Sequence, residues 1–333
     1  MELPSIPRDL GIRVLLRGDL DVDKDESRLE LLRPTLKLLL ERGASVVIIG
    51  HKGRPQGRPS AEFSLAAVSE RLAGLLSTKI KFVADIVGEE ARKEAEKLKN
   101  GEIMMLENLR FDPREEKNDL DFAKSLSLLA KLYVNEAFAA SHRPHASIVG
   151  IPRFLPRAAG LHFSQEVENL KKIIESPKRP VLVIIGGAKE DKLAYLDGLS
   201  TLADKIYLTG ALPKFREETD DSKISIANLL PDKEDITINS IEKIVTDCFR
   251  AGTILLAGPV GKFEEEGHRL GTKRVFEAVA NSAAFKVAGG GETERAIKIL
   301  GLEDKFDWIS AGGGAMLEFL SRRTLPGIEA LLN

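Results

Sequence analysis

The sequence predicts an α/β protein made of two doubly wound parallel-sheet domains joined by a helix. Short strands that are apolar on both faces alternate with longer amphipathic stretches, a pattern typical of parallel sheets covered by helices on both sides. The alternation stops at one long amphipathic segment and then restarts, which indicates a second domain. The chain has 333 residues, and this length fits two domains of roughly 100–200 residues each.

The first half contains five predicted strands with helices between them. We predict the strands at 13–17, 45–50, 80–83, 103–106 and 131–134. The helices are predicted at 29–42, 64–76, 88–98 and 122–129. Gly43 follows the first of these helices, and a glycine at that place commonly ends a helix.

The second half repeats this alternation. Strands are predicted at 181–185, 205–208, 253–256, 285–287 and 308–310, and helices at 193–202, 241–249, 271–281 and 294–300. The stretch 214–234 is polar and irregular, so we predict a loop or a degraded element there. The amphipathic segment at 164–174 marks the boundary between the halves. We therefore predict an N-terminal domain at 1–163, an interdomain helix and hinge at 164–180, and a C-terminal domain at 181–322.

Composition excludes several classes of function. The chain carries 49 Lys and Arg against 51 Asp and Glu, so no overall positive charge marks a nucleic-acid binder. No segment approaches 18 consecutive apolar residues, which predicts no membrane span. The N-terminus has no apolar run of signal-peptide length, so we expect a cytoplasmic protein. Cys248 is the single cysteine and is expected to be a buried, inert thiol.

Cationic side chains follow four of the predicted strands in the first half. Ligands of parallel sheets bind in the loops at the carboxyl ends of the strands, so four such loops of one sheet would bring these cations to one crevice. Arginine binds carboxylates and phosphates through bidentate hydrogen bonds. Any one of these residues would ordinarily form a local ion pair, but the set predicts a shared anion site. Its residues are Arg17, Asp19, Asp21, Arg28, His51, Arg54, Arg110, His142, Arg143 and His145.

Glycine clusters follow the strands of the second half. They are Gly186-Gly187-Ala188-Lys189, Gly258-Pro259-Val260-Gly261, Gly289-Gly290-Gly291 and Gly312-Gly313-Gly314. Glycines after strands let backbone N–H groups approach phosphates, and the N-terminus of a following helix favours negative charge. The clusters predict a nucleotide site. None matches the P-loop motif, because Phe263 follows Gly261-Lys262 where that motif requires Ser or Thr.

These motifs, in this order, resemble the phosphoglycerate kinase family over nearly the whole chain. The first half contributes His51-Lys52-Gly53-Arg54-Pro55, Leu106-Glu107-Asn108-Leu109-Arg110-Phe111 and His142-Arg143-Pro144-His145. The second half contributes three of the glycine clusters, namely those at 186–189, 258–261 and 312–315. The resemblance implies an N-terminal domain that binds 3-phosphoglycerate, a C-terminal domain that binds ADP or ATP with Mg²⁺, and a segment at 323–333 that packs back on the N-terminal domain.

The resemblance also implies a reaction and the residues that perform it. A phosphoryl group would move between 1,3-bisphosphoglycerate and ADP, with hinge closure bringing the ligands together, in a monomer with no nucleic-acid or membrane partner. The residues expected to bind the acid substrate are Asp19, Asp21, Arg28, His51, Arg54, Arg110 and Arg143. Those expected to bind the nucleotide are Gly187, Lys189, Lys192, Gly210, Pro259, Glu264, Gly291, Glu292 and Thr293. Arg28, Lys189, Gly290 and Gly313 are expected to act in catalysis, and Glu292 to hold the Mg²⁺.

The sequence departs from the family pattern mainly in the second half. In the first half, Asp21 replaces the family's asparagine and Asp23 its proline. In the second, the loop after Lys189 is one residue short, so Lys192 is expected in a shifted register relative to the phosphates. A helix and a strand after the loop at 209–212 are largely missing, and Glu292 replaces an aspartate.

Three hypotheses therefore stay open at the level of sequence. The chain is an active, shortened phosphoglycerate kinase, a divergent kinase with another nucleotide, phosphate donor or acid acceptor, or a non-catalytic protein that binds a phosphorylated acid.

Overall fold

The computed structural model describes residues 2–22, 26–216 and 218–333, so Asp23 lies outside the described residues. The chain divides into two compact units. Unit 1 comprises Met1–Glu166 and Leu325–Asn333, and unit 2 comprises Val167–Thr324. Each unit is built around one six-stranded sheet.

Unit 1 contains a parallel sheet with helices packed on it. Its strands are β1 (Arg13–Arg17), β2 (Ser45–Ile49), β3 (Ile80–Val83), β4 (Ile103–Leu106), β5 (Leu132–Asn135) and β6 (Arg157–Ala159). The strand order is β3-β4-β2-β1-β5-β6, and every neighbouring pair is parallel. The helices are α1 (Ser27–Glu41), α2 (Ala66–Leu76), α3 (Glu89–Lys97) and α4 (Leu120–Ser127), and α5 (Leu161–Glu175) begins in unit 1 and ends in unit 2.

The pattern of apolar residues explains these elements. All five residues of β2 are buried, as expected for a strand in the middle of a sheet covered on both faces. In α1, Leu29, Leu32 and Leu36 recur every three or four residues and are buried in the same apolar cluster as Val46 and Ile48. The core of unit 1 therefore lies between its sheet and its helices.

Unit 2 repeats the architecture with its own core. Its strands are β7 (Val181–Ile185), β8 (Lys205–Leu208), β9 (Ile224–Ile226), β10 (Thr253–Ala257), β11 (Phe285–Gly289) and β12 (Trp308–Ser310), in the parallel order β12-β11-β10-β7-β8-β9. Its helices are α6 (Leu196–Ser200), α7 (Ile238–Cys248), α8 (Leu270–Asn281), α9 (Gly291–Ile299) and α10 (Gly313–Arg322). Cys248 is buried in this core, as predicted.

The structure confirms the predicted fold class and corrects some elements. β6 and β9 were not predicted, and β9 shows that 214–234 is not a loop throughout. The helix predicted at 193–202 is a 3₁₀ helix at Glu190–Tyr195 followed by the short α6. Each of the missed strands has only three residues, and neither is followed by a glycine cluster such as the one that marks β12, which is equally short.

The C-terminal segment belongs to unit 1. Its helix, α11 (Pro326–Leu332), begins after Leu325, which is fully buried. Gly327 N donates to Ser141 O at 2.9 Å, and Arg157 Nε donates to Leu331 O at 3.2 Å. Within the described part of the chain, no helix is both long and apolar enough to cross a membrane.

Candidate functional site

The cationic loops of unit 1 follow four strands that are neighbours in the sheet. These strands are β4, β2, β1 and β5 in spatial order. Because parallel strands end at the same edge, the loops after them lie side by side. The structure thus brings together the surroundings of Arg17, His51, Arg110 and Arg143, which are far apart in sequence.

Asp19, Asp21 and Arg28 form one corner of this crevice. Arg28 Nη1 lies 3.2 Å from Asp19 Oδ1 and donates to Asp21 O at 3.2 Å. The carboxylate of Asp21 instead accepts a hydrogen bond from Gly53 N at 2.8 Å. Asp21, which stands where the family has asparagine, therefore places a negative charge beside the loop that carries His51 and Arg54.

Arg54, Arg110 and Arg143 crowd their positive charges. Arg110 is 3% exposed, donates through Nη1 to Gly53 O at 2.7 Å, and has its Nε 3.1 Å from Glu116 Oε1. Burial and then Arg143 lower the pKa of Arg110, while burial and then Arg54 lower the pKa of Arg143. Cations that disfavour one another in this way are stabilised by a bound anion.

The three histidines near these arginines are neutral at pH 7. Burial, followed by Arg17, lowers the pKa of His51 well below its ordinary value. Burial also lowers the pKa of His142 to about 4 and that of His145 to about 3. Nδ1 of His142 and Nδ1 of His145 are buried and have no hydrogen-bond partner among the described residues.

A buried polar network, only part of which could be predicted from the sequence, is hydrogen-bonded to His51 of this crevice. Arg17 and Glu115 are both fully buried. Arg17 Nη2 lies 2.7 Å from His51 Nδ1, and Arg17 Nε donates to Ser147 Oγ at 2.9 Å. Both carboxylate oxygens of Glu115 accept from Ser147, at 2.5 Å from Oγ and 2.9 Å from N. Burial raises the pKa of Glu115, and Arg17 opposes that shift.

The glycine loops of unit 2 follow adjacent strands and are hydrogen-bonded to one another. Gly187 N donates to Pro259 O at 2.8 Å, Gly210 N to Val260 O at 2.9 Å, and Ala211 N to Gly187 O at 2.9 Å. Gly187 adopts φ 92°, and a Cβ there would lie 2.9 Å from Lys192 Nζ. The positive φ therefore favours glycine at this position.

The two triple-glycine clusters also approach each other closely. A Cβ on Gly313 would lie 2.5 Å from the Cα of Gly290, whose own φ is 105°. Gly291 begins α9, and Gly313 begins α10. Two helix N-termini are thereby held together at this edge of the sheet, where their free N–H groups favour an anion.

Lys192 and Lys189 occupy different positions. Lys192 Nζ donates to Gly186 O at 2.6 Å and to Ala257 O at 3.1 Å, so it holds the loops after β7 and β10 together. Burial lowers its pKa, and Glu292 opposes the shift. Lys189 is exposed. Thr293 Oγ1 accepts from Gly258 N at 2.7 Å and donates to Gly289 O at 2.9 Å, which links the loops after β10 and β11.

These loops surround a cavity of about 200 Å³. Its walls combine glycine backbone with charged side chains, and Gly290, Gly291, Gly313, Lys189, Lys192 and Thr293 do not line it. The lining residues are Gly187, Ala188, Gly210, Ala211, Lys214, Lys233, Glu234, Pro259, Gly261, Lys262, Glu264 and Glu292. Among the residues expected to bind the nucleotide, Gly210, Glu264 and Glu292 line the cavity. Lys192 does not line it, and instead hydrogen-bonds the loops after β7 and β10.

Asp235 is a further residue whose role the sequence did not indicate. It is 2% exposed and accepts from Gly271 N at 2.9 Å and from Ile236 N at 2.8 Å. A Cβ on Gly261 would lie 2.2 Å from Asp235 Oδ1. The carboxylate thus fixes the loop after β10 against the N-terminus of α8, and burial raises its pKa.

Fold and site together define a class of α/β protein with a cationic crevice on one parallel sheet and glycine-rich loops on another. A family model described as phosphoglycerate kinase matches residues 9–224 and 212–323. A phosphoglycerate kinase from Thermomicrobium roseum is 36% identical over 385 positions, covering 98% of each chain, and one from Fervidobacterium nodosum is 37% identical, covering 96% of each. The crystal structure of phosphoglycerate kinase from Pyrococcus horikoshii superposes with a TM-score of 0.85 at 28% identity, covering 98% of this chain and 97% of that one.

The chain belongs to the phosphoglycerate kinase family. The alignment with the Thermomicrobium roseum relative extends over 385 positions, more than the 333 residues of this chain. Relatives therefore carry segments that this chain lacks.

Proposed function

We propose that this chain catalyses reversible phosphoryl transfer between 1,3-bisphosphoglycerate and ADP, giving 3-phosphoglycerate and ATP. The observation that carries the proposal most directly is the crowding of Arg54, Arg110 and Arg143 in unit 1. Their mutual repulsion has a clear use only if an anion binds among them. Family membership supports the same activity.

In unit 1, the arginines would bind the phosphate and carboxylate of the acid. Guanidinium groups form bidentate hydrogen bonds to both kinds of oxyanion. Asp19 would orient Arg28, to which it is paired at 3.2 Å. The neutral His51 would contribute a ring N–H donor rather than a further positive charge.

In unit 2, the glycine loops would bind the nucleotide phosphates through backbone N–H groups, which approach closely because no Cβ intervenes. The N-termini of α9 and α10 add favourable potential for negative charge. The exposed Lys189 would reach the transferring group. Glu264 lines the same cavity and could accept hydrogen bonds from ribose hydroxyls.

The donors of unit 2 fit Mg²⁺ held jointly with nucleotide phosphates. No cluster of three or more metal-ligating side chains occurs within the described residues, but Mg²⁺ at phosphate-transfer sites usually needs only one or two carboxylates besides the phosphates and waters. Glu292 lies in the first turn of α9 and lines the cavity beside Gly187, where a Cβ would lie 3.2 Å from Glu292 Oε2. When bound, Mg²⁺ would neutralise charge on the phosphates, and Glu292 would hold it.

Transfer itself needs little covalent chemistry from the protein. Phosphoryl transfer is accelerated mainly by positioning and by stabilising charge on the equatorial oxygens. Arg28 and Lys189 would supply that stabilisation, and the backbone at Gly290 and Gly313 would supply N–H donors. The acid and the nucleotide must meet for direct transfer, and α5, which passes from unit 1 into unit 2, is the expected hinge.

A coupled assay with 3-phosphoglycerate and Mg-ATP tests the proposal. We expect ATP consumption that depends on both the acid and Mg²⁺. Arg54→Ala should raise the KM for 3-phosphoglycerate. Arg58→Ala is the matched control, because Arg58 is in the same loop and is also exposed, and it should leave that KM unchanged.

Two results would contradict the proposal in different ways. Turnover with GTP or polyphosphate but not with ATP would indicate a kinase with another phosphate donor. Absence of turnover with all three, together with calorimetric binding of 3-phosphoglycerate, would indicate a binding protein without catalytic activity.

A further inference from the structure

A buried chain of hydrogen bonds connects Glu115 to His51. It runs from Glu115 to Ser147, from Ser147 to Arg17, and from Arg17 to His51, with distances of 2.5, 2.9 and 2.7 Å. Glu115, Arg17 and Ser147 are all fully buried, and His51 is 4% exposed. Glu115, Ser147 and Arg17 were not among the residues expected to bind the acid substrate. Of these three, only Arg17 was included in the predicted anion site.

The chemistry of each group fixes the direction of this chain. A guanidinium has donors only, so Arg17 donates to both Ser147 Oγ and His51 Nδ1. Ser147 Oγ then uses its own proton to donate to Glu115 Oε1. Arg17 is therefore the shared donor of the chain: it donates to His51 Nδ1 at one end, and at the other end Ser147 passes the direction on to the carboxylate of Glu115, which accepts.

This direction determines where His51 carries its proton. Since Nδ1 accepts from Arg17, a neutral His51 must be protonated at Nε2. Burial and the surrounding Arg17, Arg110, Arg143 and His145 all disfavour a second proton on the ring. No described residue forms a hydrogen bond with Nε2 of His51, so that N–H is available to a ligand.

Glu115 is also the buried counter-charge for Arg17. A fully buried guanidinium is stable only when it is paired and hydrogen-bonded. Arg17 Nη1 additionally donates to Gly18 O, but that carbonyl carries no charge. Ser147 joins the two charged groups through its hydroxyl, and Tyr133 Oη holds the Ser147 carbonyl at 2.7 Å.

We propose that Glu115, acting through Ser147 and Arg17, is a positioning residue that holds His51 as the Nε2-protonated tautomer, ready to donate to an oxyanion of the acid substrate. The identity of that substrate rests on the function proposed above. The tautomer itself is a property of the ligand-free protein and can be measured without any turnover.

The test measures the tautomer and ligand binding in the same proteins. Long-range ¹H–¹⁵N correlation spectra of protein labelled with ¹⁵N-histidine distinguish a protonated from an unprotonated ring nitrogen, and the chain has only five histidines to assign. In the unsubstituted protein, we expect His51 to be protonated at Nε2 only, from pH 6 to pH 8. Calorimetry gives the Kd of 3-phosphoglycerate and, separately, that of Mg-ADP.

Glu115→Gln removes the charge at the end of the chain with little change in shape. We expect a second His51 tautomer to appear and the Kd of 3-phosphoglycerate to rise about tenfold, the scale of one hydrogen bond to a charged group. The Kd of Mg-ADP should not change. Tyr133→Phe is the matched control, since it removes a buried hydrogen bond to Ser147 but leaves the chain from Glu115 to His51 intact. It should keep the single tautomer and the original Kd.

Each outcome decides the proposal. A single Nε2-protonated tautomer in Glu115→Gln with an unchanged Kd overturns it, and so does a change of tautomer without loss of affinity. If Glu115→Gln does not fold, Ser147→Ala breaks the same chain with a smaller change, and its spectrum and Kd decide in its place. Failure of the unsubstituted protein to bind 3-phosphoglycerate would reject the proposed substrate. A single tautomer of His51 would still support the role of the hydrogen-bonded chain from Glu115 to His51.

Discussion

Asp21→Asn isolates the effect of one charge in the anion crevice. Asp21 Oδ1 accepts a hydrogen bond from Gly53 N at 2.8 Å, and asparagine can keep that bond through its own Oδ1. What is lost is a negative charge that attracts Arg110 and Arg143. We therefore expect the substitution to strengthen binding of 3-phosphoglycerate, because the anionic ligand no longer competes with a fixed carboxylate.

The expected gain is small because Asp21 is exposed to water. Two unit charges about 6 Å apart interact by roughly 0.7 kcal/mol in bulk water. This corresponds to about a threefold change in Kd for each nearby ligand charge. A ligand with a phosphate and a carboxylate should thus bind about three- to tenfold more tightly to Asp21→Asn.

Calorimetry at two salt concentrations checks both the sign and the cause. The gain should be present in dilute buffer and largely absent near 1 M salt, where the screening length is about 3 Å. Asp112→Asn is the control, because Asp112 pairs with Arg114 rather than with the crevice. A Kd that is unchanged or higher in Asp21→Asn would refute the reasoning, since it would show that the carboxylate organises the arginines or binds the ligand itself.

Three further predictions concern catalysis, the metal and pH. Arg28→Ala should lower kcat about 100-fold with little change in the Kd of Mg-ADP. Arg33→Ala, on the same helix, is the control and should keep both values. An unchanged kcat in Arg28→Ala would show that Arg28 does not stabilise the transferring group. In calorimetry, Glu292→Asp should keep the affinity for the nucleotide measured with Mg²⁺, whereas Glu292→Gln should weaken that affinity about tenfold. If Glu292→Gln weakens nucleotide binding equally with and without Mg²⁺, Glu292 is not a metal ligand. His145 has its pKa lowered to about 3, so the unfolded chain binds the extra proton first, and the free energy of unfolding should fall as pH drops from about 6.5 toward 3. Denaturant titrations should show a shallower fall in His145→Asn, and identical slopes would exclude His145 as a cause.

The fold could be predicted because its signal is repeated and local. Strand β7 is apolar at every position and β2 at every position after Ser45, and helices such as α1 show apolar residues at helical spacing. β6 and β9 gave no such signal. Each has three residues and forms the edge of its sheet, so pairing with one neighbour, rather than an apolar run, makes it a strand.

The candidate site could be predicted where charged residues directly follow strands. The buried residues that hydrogen-bond to them could not be predicted. Arg54, Arg110 and Arg143 are recognisable by charge and position. Glu115 and its neighbour Glu116 are the same residue type, yet Glu115 is fully buried and Glu116 has a side chain that is 45% exposed. Only the packing of Ser147 and Arg17 distinguishes them, and that depends on contacts between residues distant in sequence.

The shortening predicted for the second half should affect one wall of the cavity in unit 2 more than the glycine loops around it. The loops after β7, β8 and β10 are hydrogen-bonded directly to one another and through Lys192. The altered stretch follows β8 and leads into β9, an edge strand that pairs only with β8. Its charged contribution to the cavity is Lys214, which lies 3.8 Å from the carboxylate of Glu234; Lys262, in the loop after β10, lies 3.7 Å from the same carboxylate. Recognition of the base, measured as the ratio of kcat/KM for ATP and GTP, is therefore where this chain should differ from its longer relatives, while binding of the phosphates should not.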